Sequence, residues 1–121
     1  MLQDKNWHTG SNLPIKFSNI KEIISDYVVR GAKIYIGSDS FISQKRVCFA
    51  STICLHGPSI GGRYFFFRDF LPKSHYFGLA TRITEETRRS IELAEILMSE
   101  CSIDPQDIEL HLDVSPFQAN N

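Results

Sequence analysis

Long apolar runs are missing from this 121-residue chain. None approaches the ~20 residues a membrane-spanning helix needs. The lead-in "MLQDKNWHTGSNLP" has no apolar stretch of the signal-peptide kind, so the cytoplasm is the expected location. Cysteine is scarce and scattered: Cys48, Cys54 and Cys101 show no Cys-x-x-Cys spacing, which argues against a disulfide frame or a zinc knuckle and for reduced, buried thiols. An excess of either charge is also missing, since 13 basic residues meet 14 acidic ones. There is thus no global basic signature for nucleic acid, and only a local stripe could serve. Neither Ser38 nor Ser40 sits in a Gly-x-Ser-x-Gly elbow, which argues against either as a hydroxyl nucleophile. Repeats, low-complexity tracts and linkers are absent too, and the length suits one domain over residues 1–121.

What is present is a change of hydrophobic period along the chain. "FSNIKEIISDYVVRG" reads as a helix, with Ile20, Ile23, Ile24, Tyr27 and Val28 on one stripe. Ser18 or Asn19 can cap it, Asn19 and Glu22 have capping-box spacing, and Gly31 supplies the stop. Lys33 to Gly37 is a first strand, running into the turn-forming residues of "GSDS". Arg46 to Leu55 alternates with both faces small or apolar, which places it inside the sheet. "HGPSIGG" is a turn, and Arg63 to Phe70 is a third strand closed by Pro72. Short connections predict an antiparallel meander. Leu79 to Cys101 is a long helix and Ile108 to Val114 a fourth strand. The class is α/β: a helix, then β-β-β-α-β, in a mixed sheet whose helical crossover lets the fourth strand run parallel to the first.

Two of these strands end in a carboxylate, Asp39 and Asp113. If the strands are parallel neighbours, the two acids project from one sheet edge within ~8 Å, one or two strand spacings. Carboxylates that close repel unless one is protonated or a cation intervenes. Oxygen-only ligands suit Mg²⁺ or Mn²⁺.

This order, with an Asp on the first strand, an acid on the helix and an Asp on the fourth strand, resembles the ribonuclease H-like superfamily. More closely, "YIGSDSF", "EETRRSIELAEIL" and "ELHLDVSPFQANN" are similar to the bacterial YkuK-like family, from about Phe17 to the C-terminus. The resemblance implies a two-metal, nuclease-type site in which Asp39 and Asp113 are the strand acids, and nucleic acid as the partner. For the helix acid, the Thr-to-Glu spacing of "TRRSIEL" points to Glu92. Helical phase disagrees. With a core stripe of Ile83, Thr87, Ile91, Ala94, Leu97 and Met98, Glu92 points away from the sheet, whereas Glu86 lies on the flank with Leu93 and Leu97. The expected ligands, which are also the expected catalytic residues, are therefore Asp39, Glu86 and Asp113, and Glu92 is a solvated charge paired with Arg88 or Arg89. Nothing after Asp113 is acidic, so relative to the family the chain is expected to lack the C-terminal part of the fold and its fourth acid. A sheet face left uncovered would favour association with a second copy.

His111 alternates with Asp113 and shares its face, where a structural role outweighs ligation. His56 and His75 belong to turn-rich segments, and His8 to the lead-in. Ser38 and Ser40 suit hydrogen bonding to the turn or orienting a carboxylate. Tyr64 to Phe67 suggest base stacking, but core packing on two sides is the stronger reading. Arg82, Arg88 and Arg89, with Lys73, read as a solvated basic rim. Asp39-Ser40-Phe41 breaks the Asp-x-Asp of a haloacid dehalogenase. The function so read is a divalent-metal-dependent nuclease or related phosphoryl-transfer enzyme acting on nucleic acid. The alternative is a non-catalytic nucleic-acid- or protein-binding module of the same fold with an incomplete metal site.

Overall fold

Leu2 and Trp7, isolated apolar residues in a polar lead-in, are both buried, and the Trp7 indole donates to the Leu2 carbonyl at 2.8 Å. The computed structural model describes residues 2–76 and 78–112. Trp7 stacks on Phe17 at 5.5 Å and meets Phe67 edge-on at 4.6 Å. The lead-in is therefore part of the core, although a lone Trp has no period to announce it. The next two residues form β1 (His8–Thr9), antiparallel to Phe66 and Phe65.

Helix α1 (Phe17–Val29) takes Lys16 as its N-cap, with no side-chain cap bond, rather than Ser18 or Asn19. The reason is the burial of Phe17: fully burying such a ring contributes ~1.5–3 kcal/mol, more than the ~1 kcal/mol of a typical cap. At the other end Gly31 N–H bonds to Val28 and Ala32 N–H to Tyr27, a Schellman closure that needs the positive φ of 91° at Gly31.

Strand β2 (Lys33–Ser43) does not end at Gly37. "GSDS" is not a turn; it continues in register opposite β3 (Arg46–Gly57), with Asp39 paired to Ala50, and the chain turns at Gln44 and Lys45 instead. The unbroken antiparallel ladder to Ser43↔Arg46 outweighs the turn preference of those residues. β3 pairs in turn with β4 (Gly61–Pro72), giving the expected meander. Helix α2 (Leu79–Glu100) leads to β5 (Ile108–His111), which runs parallel to β2 from Ile34↔Ile108 to Gly37↔His111. The strand order is β1-β4-β3-β2-β5, with β3 central as expected and β1 as an additional strand.

Ile20 and Ile24 of α1 and Leu93, Ala94 and Leu97 of α2 share one core with Ile34, Ile36, Ile53, Leu55, Phe65 and Phe67. Both helices therefore lie on one face of the sheet. Among the described residues no helix covers the other face, where Tyr64 and Phe70 are each about half exposed. The two-sided packing expected for Tyr64 to Phe67 is thus one-sided: Phe65 and Phe67 are core, while Tyr64 and Phe66 face outward. No described helix is long and apolar enough to cross a membrane.

The buried stripe of α2 is also rotated from the expected one. It runs Glu86, Ser90, Leu93, Ala94, Leu97, and Ile91 is exposed. A stripe picked by hydrophobicity alone missed it, because the N-terminal half of this helix buries polar groups against polar groups. Ser38 and Ser51 of the sheet lie buried with their hydroxyls 3.4 Å apart.

Candidate functional site

Among the described residues, pairing with β5 runs as far as Gly37, two residues before Asp39. Beyond that point β2 keeps β3 on one side and has no strand partner on the other among the described residues. Pleating sends alternate side chains to opposite faces. Ser38 and Ser40 point toward α2, and Asp39 to the uncovered side, where it is exposed. Asp39 Oδ1 accepts from the Ser40 N–H at 2.9 Å. Its surroundings are a shallow depression of about 470 Å³ lined by Gly37, Ser38, Asp39, Ala50, Thr52 and His111. The larger cleft of about 950 Å³, between the lead-in and the start of α1, has no carboxylate in its described lining.

Glu86 reaches the same stretch of β2 from the helix side. It is buried, and its Oε2 accepts a hydrogen bond from the Ser40 hydroxyl. Arg82, one turn earlier on α2, places Nη1 3.4 Å from both the carbonyl and the hydroxyl oxygen of Ser40. Its Nε is buried and has no partner among the described residues. A buried, unspent guanidinium donor beside a carboxylate is costly unless something polar meets it. Glu92 faces the other way and pairs with Arg88 at 2.8 Å.

The structure thus brings Glu86, Ser40 and Arg82 together around one residue of β2, with Asp39 next to it on the opposite face. Asp113 lies outside the described residues, as does Val114 at the end of the expected fourth strand. His111, the last residue of β5, shares the depression with Asp39; its ring packs 5.2 Å from Tyr35 and its Nε2 lies 3.5 Å from Glu109. His56 and His75 are exposed. The three cysteines are free.

The expected basic rim is divided. Arg88 and Arg89 both bind Glu85, and Arg89 also binds Asp69 at 2.6 Å, so neither stands free for a ligand. Arg82 alone of that set turns to Ser40. Ser40 and Arg82 were legible as partners of Glu86 only through phase. Arg82 and Glu86 are spaced i, i+4 on one helix face, and that face had first to be recognised as the buried one.

Both described acids offer only hard carboxylate oxygen, a donor type that fits Mg²⁺ or Mn²⁺. Among the described residues, however, no three His, Cys, Asp or Glu converge on one point where a metal ion could sit. The described part of the site thus fits the chemistry of a hard cation but supplies only part of a cage.

A family model described as ribonuclease H-like matches residues 16–120, from the residue before α1 through β5 and beyond. Comparison with curated proteins and with solved structures gave no match. A mixed five-stranded sheet, a helix presenting a buried acid to the strand that carries Asp39, and a match over nearly the whole chain lead to one conclusion: this chain belongs to the ribonuclease H-like family.

Proposed function

We propose that this protein is a divalent-metal-dependent phosphoryl-transfer enzyme acting on nucleic-acid phosphodiesters, with Mg²⁺ or Mn²⁺ held at the edge of β2, which Asp39 meets from the uncovered face and Glu86 from the helix side, and with Asp113 as the third acid. One observation carries the reading. The buried carboxylate of Glu86 is fixed by Ser40, next to Asp39, on the stretch of β2 that follows its last described pair with β5. It lies in the C-terminal half of β2, toward the strand ends at which α/β sheets tend to take ligands. Metal bound there would polarise phosphoryl oxygen and lower the pKa of a bound water.

The chain's own groups have separable parts. The Ser40 hydroxyl holds Glu86 in one orientation, the support that outer hydrogen bonds give to metal-ligating carboxylates. Arg82, with its unused Nε donor, supplies a cation to a phosphate oxygen. Asp39 faces the solvent side, from which a strand of nucleic acid approaches.

The test is cleavage of fluorescent single- and double-stranded oligonucleotides in Mn²⁺, in Mg²⁺ and in EDTA. Metal-dependent cleavage that Asp39→Asn and Glu86→Gln both abolish supports the reading. Cleavage that persists in EDTA, or in both variants, overturns it.

A further inference from the structure

The sheet face that no described helix covers carries a pattern that core packing does not use. Along β4 its residues are Tyr64, Phe66, Arg68 and Phe70, alternating with the buried Phe65 and Phe67. The rings of Tyr64 and Phe66 lie 6.3 Å apart. Arg68 lies over Phe66 at 4.9 Å, and Arg46 of β3 over Phe70 at 4.5 Å. On the helix-covered side Arg88, Arg89 and Lys5 meet carboxylates, while Arg82 turns to Ser40 and Arg63 lies over Phe65. Arg46 and Arg68 meet none among the described residues, and rest on rings instead. A face with unneutralised cations laid between half-exposed rings complements a partner that is anionic and has flat π-faces.

We propose that this strip binds single-stranded nucleic acid along β4, with bases on the half-exposed rings of Tyr64 and Phe70 and phosphates on Arg46 and Arg68. Tyr64 and Phe70 stand six residues apart on the strand, ~20 Å, so an extended, unstacked chain running along β4 meets a stacking platform at each end of the strip. A duplex keeps its bases inside and has no face to give them. A second copy of this chain would bring arginine against arginine, and an acidic peptide would leave the rings unused. The strip also has an address relative to Asp39. Arg68 pairs with Ala50, and Ala50 with Asp39, so all three stand in one row across the sheet. Only an alanine methyl separates Arg68 from Asp39, two strand spacings or ~9.6 Å away. The proposal deepens the phosphoryl-transfer reading by naming a single strand as the substrate and this face as its path.

Fluorescence anisotropy of labelled oligothymidylate and oligouridylate, with the full chain in EDTA, tests it independently of cleavage. Expected is binding of both, with an equal-length duplex held at least about tenfold more weakly. Phe70→Ala and Tyr64→Ala each weaken binding about fivefold or more at unchanged melting temperature, the low end of what stacking one base contributes. Arg68→Gln lowers the slope of log K against log salt by ~0.7, one phosphate's worth on a single strand. The proposal is overturned if no oligonucleotide binds, if duplex binds as tightly, if polyglutamate competes equally, or if the ring variants bind like wild type. Binding without cleavage would sink the catalytic reading and leave the strip standing.

Discussion

Replacing Asp69 by asparagine removes a charge from the joint that fixes how α2 lies on the sheet. Asp69 accepts from Arg89 at 2.6 Å and from Lys5 at 3.0 Å, while Arg89 also donates to Glu85 at 2.7 Å. The Asp69 and Arg89 side chains are 20% and 14% exposed, so their bond belongs to the partly buried class. A hydrogen bond to a charged group contributes ~1.5–3 kcal/mol. Lys5 is 36% exposed and adds little, as surface pairs do. Because Arg89 keeps Glu85, the larger penalty for an orphaned buried charge does not apply. The expected loss at neutral pH is about 2 kcal/mol, or roughly 6–10 °C in melting temperature for a chain of this size. Burial pushes the Asp69 carboxyl up, but hydrogen bonds from Arg89 and Lys5 outweigh it and hold the group below its usual range. Glu85 is lowered too, first by its hydrogen bond from Arg88. A lowered carboxylate gives stability that is present above its unfolded pKa, near 4, and is lost as pH falls through the folded value. The gap between wild type and Asp69→Asn should therefore close in acid. Urea unfolding at pH 7 and pH 3 measures it. An equal gap at both values, or one under ~0.5 kcal/mol at pH 7, would refute the reasoning.

Ser40→Ala, which removes the hydroxyl that holds Glu86, should cost about 1.5 kcal/mol by denaturant titration, with Ser40→Thr, which keeps a hydroxyl, recovering most of that loss. Trp7→Ala, emptying a site that is 1% exposed between Phe17 and Phe67, should cost ~3–5 kcal/mol by circular-dichroism melts. Gly31→Ala, at φ 91° with open space around its Cβ position, should cost ~1–2 kcal/mol from backbone strain alone in the same assay.

Period and connection length made most of the architecture legible. The stripe of α1, the alternation of β3 and the crossover through α2 give the order and the parallel pairing of β2 with β5, all of which the structure contains. Three local features were not legible, each because a tertiary contact outweighed a local preference. Phe17 draws the start of α1 back past its capping residues. The ladder with β3 carries β2 through Gly37 and Asp39, which on their own favour turns. Trp7 sits in the core from a segment that shows no period. At the site, helical phase placed Glu86 toward the sheet and Glu92 toward solvent, and the structure puts them there. Ile91 was assigned to the core because it is apolar, but its neighbours Ser90 and Glu86 occupy that face. Such a polar interface reads as solvent-facing to any rule based on hydrophobicity. The ligand role of these acids is a separate matter that rests on chemistry.

That role is most directly tested by thermal melting of wild type, Asp39→Asn and Glu86→Gln in EDTA and in rising Mn²⁺. A cation bound only by the folded chain raises stability by RT ln(1 + [L]/Kd), ~2.7 kcal/mol at a hundredfold excess over Kd. With Asp39, Glu86 and Asp113 as the proposed ligands, the wild type should shift upward at millimolar Mn²⁺ and both variants should lose the shift. Asp39→Asn should be at least as stable as wild type in EDTA, since it relieves carboxylate repulsion without changing size. A wild type indifferent to Mn²⁺, with Asp39→Asn destabilised in EDTA, would contradict the account and leave Asp39 a structural residue of β2.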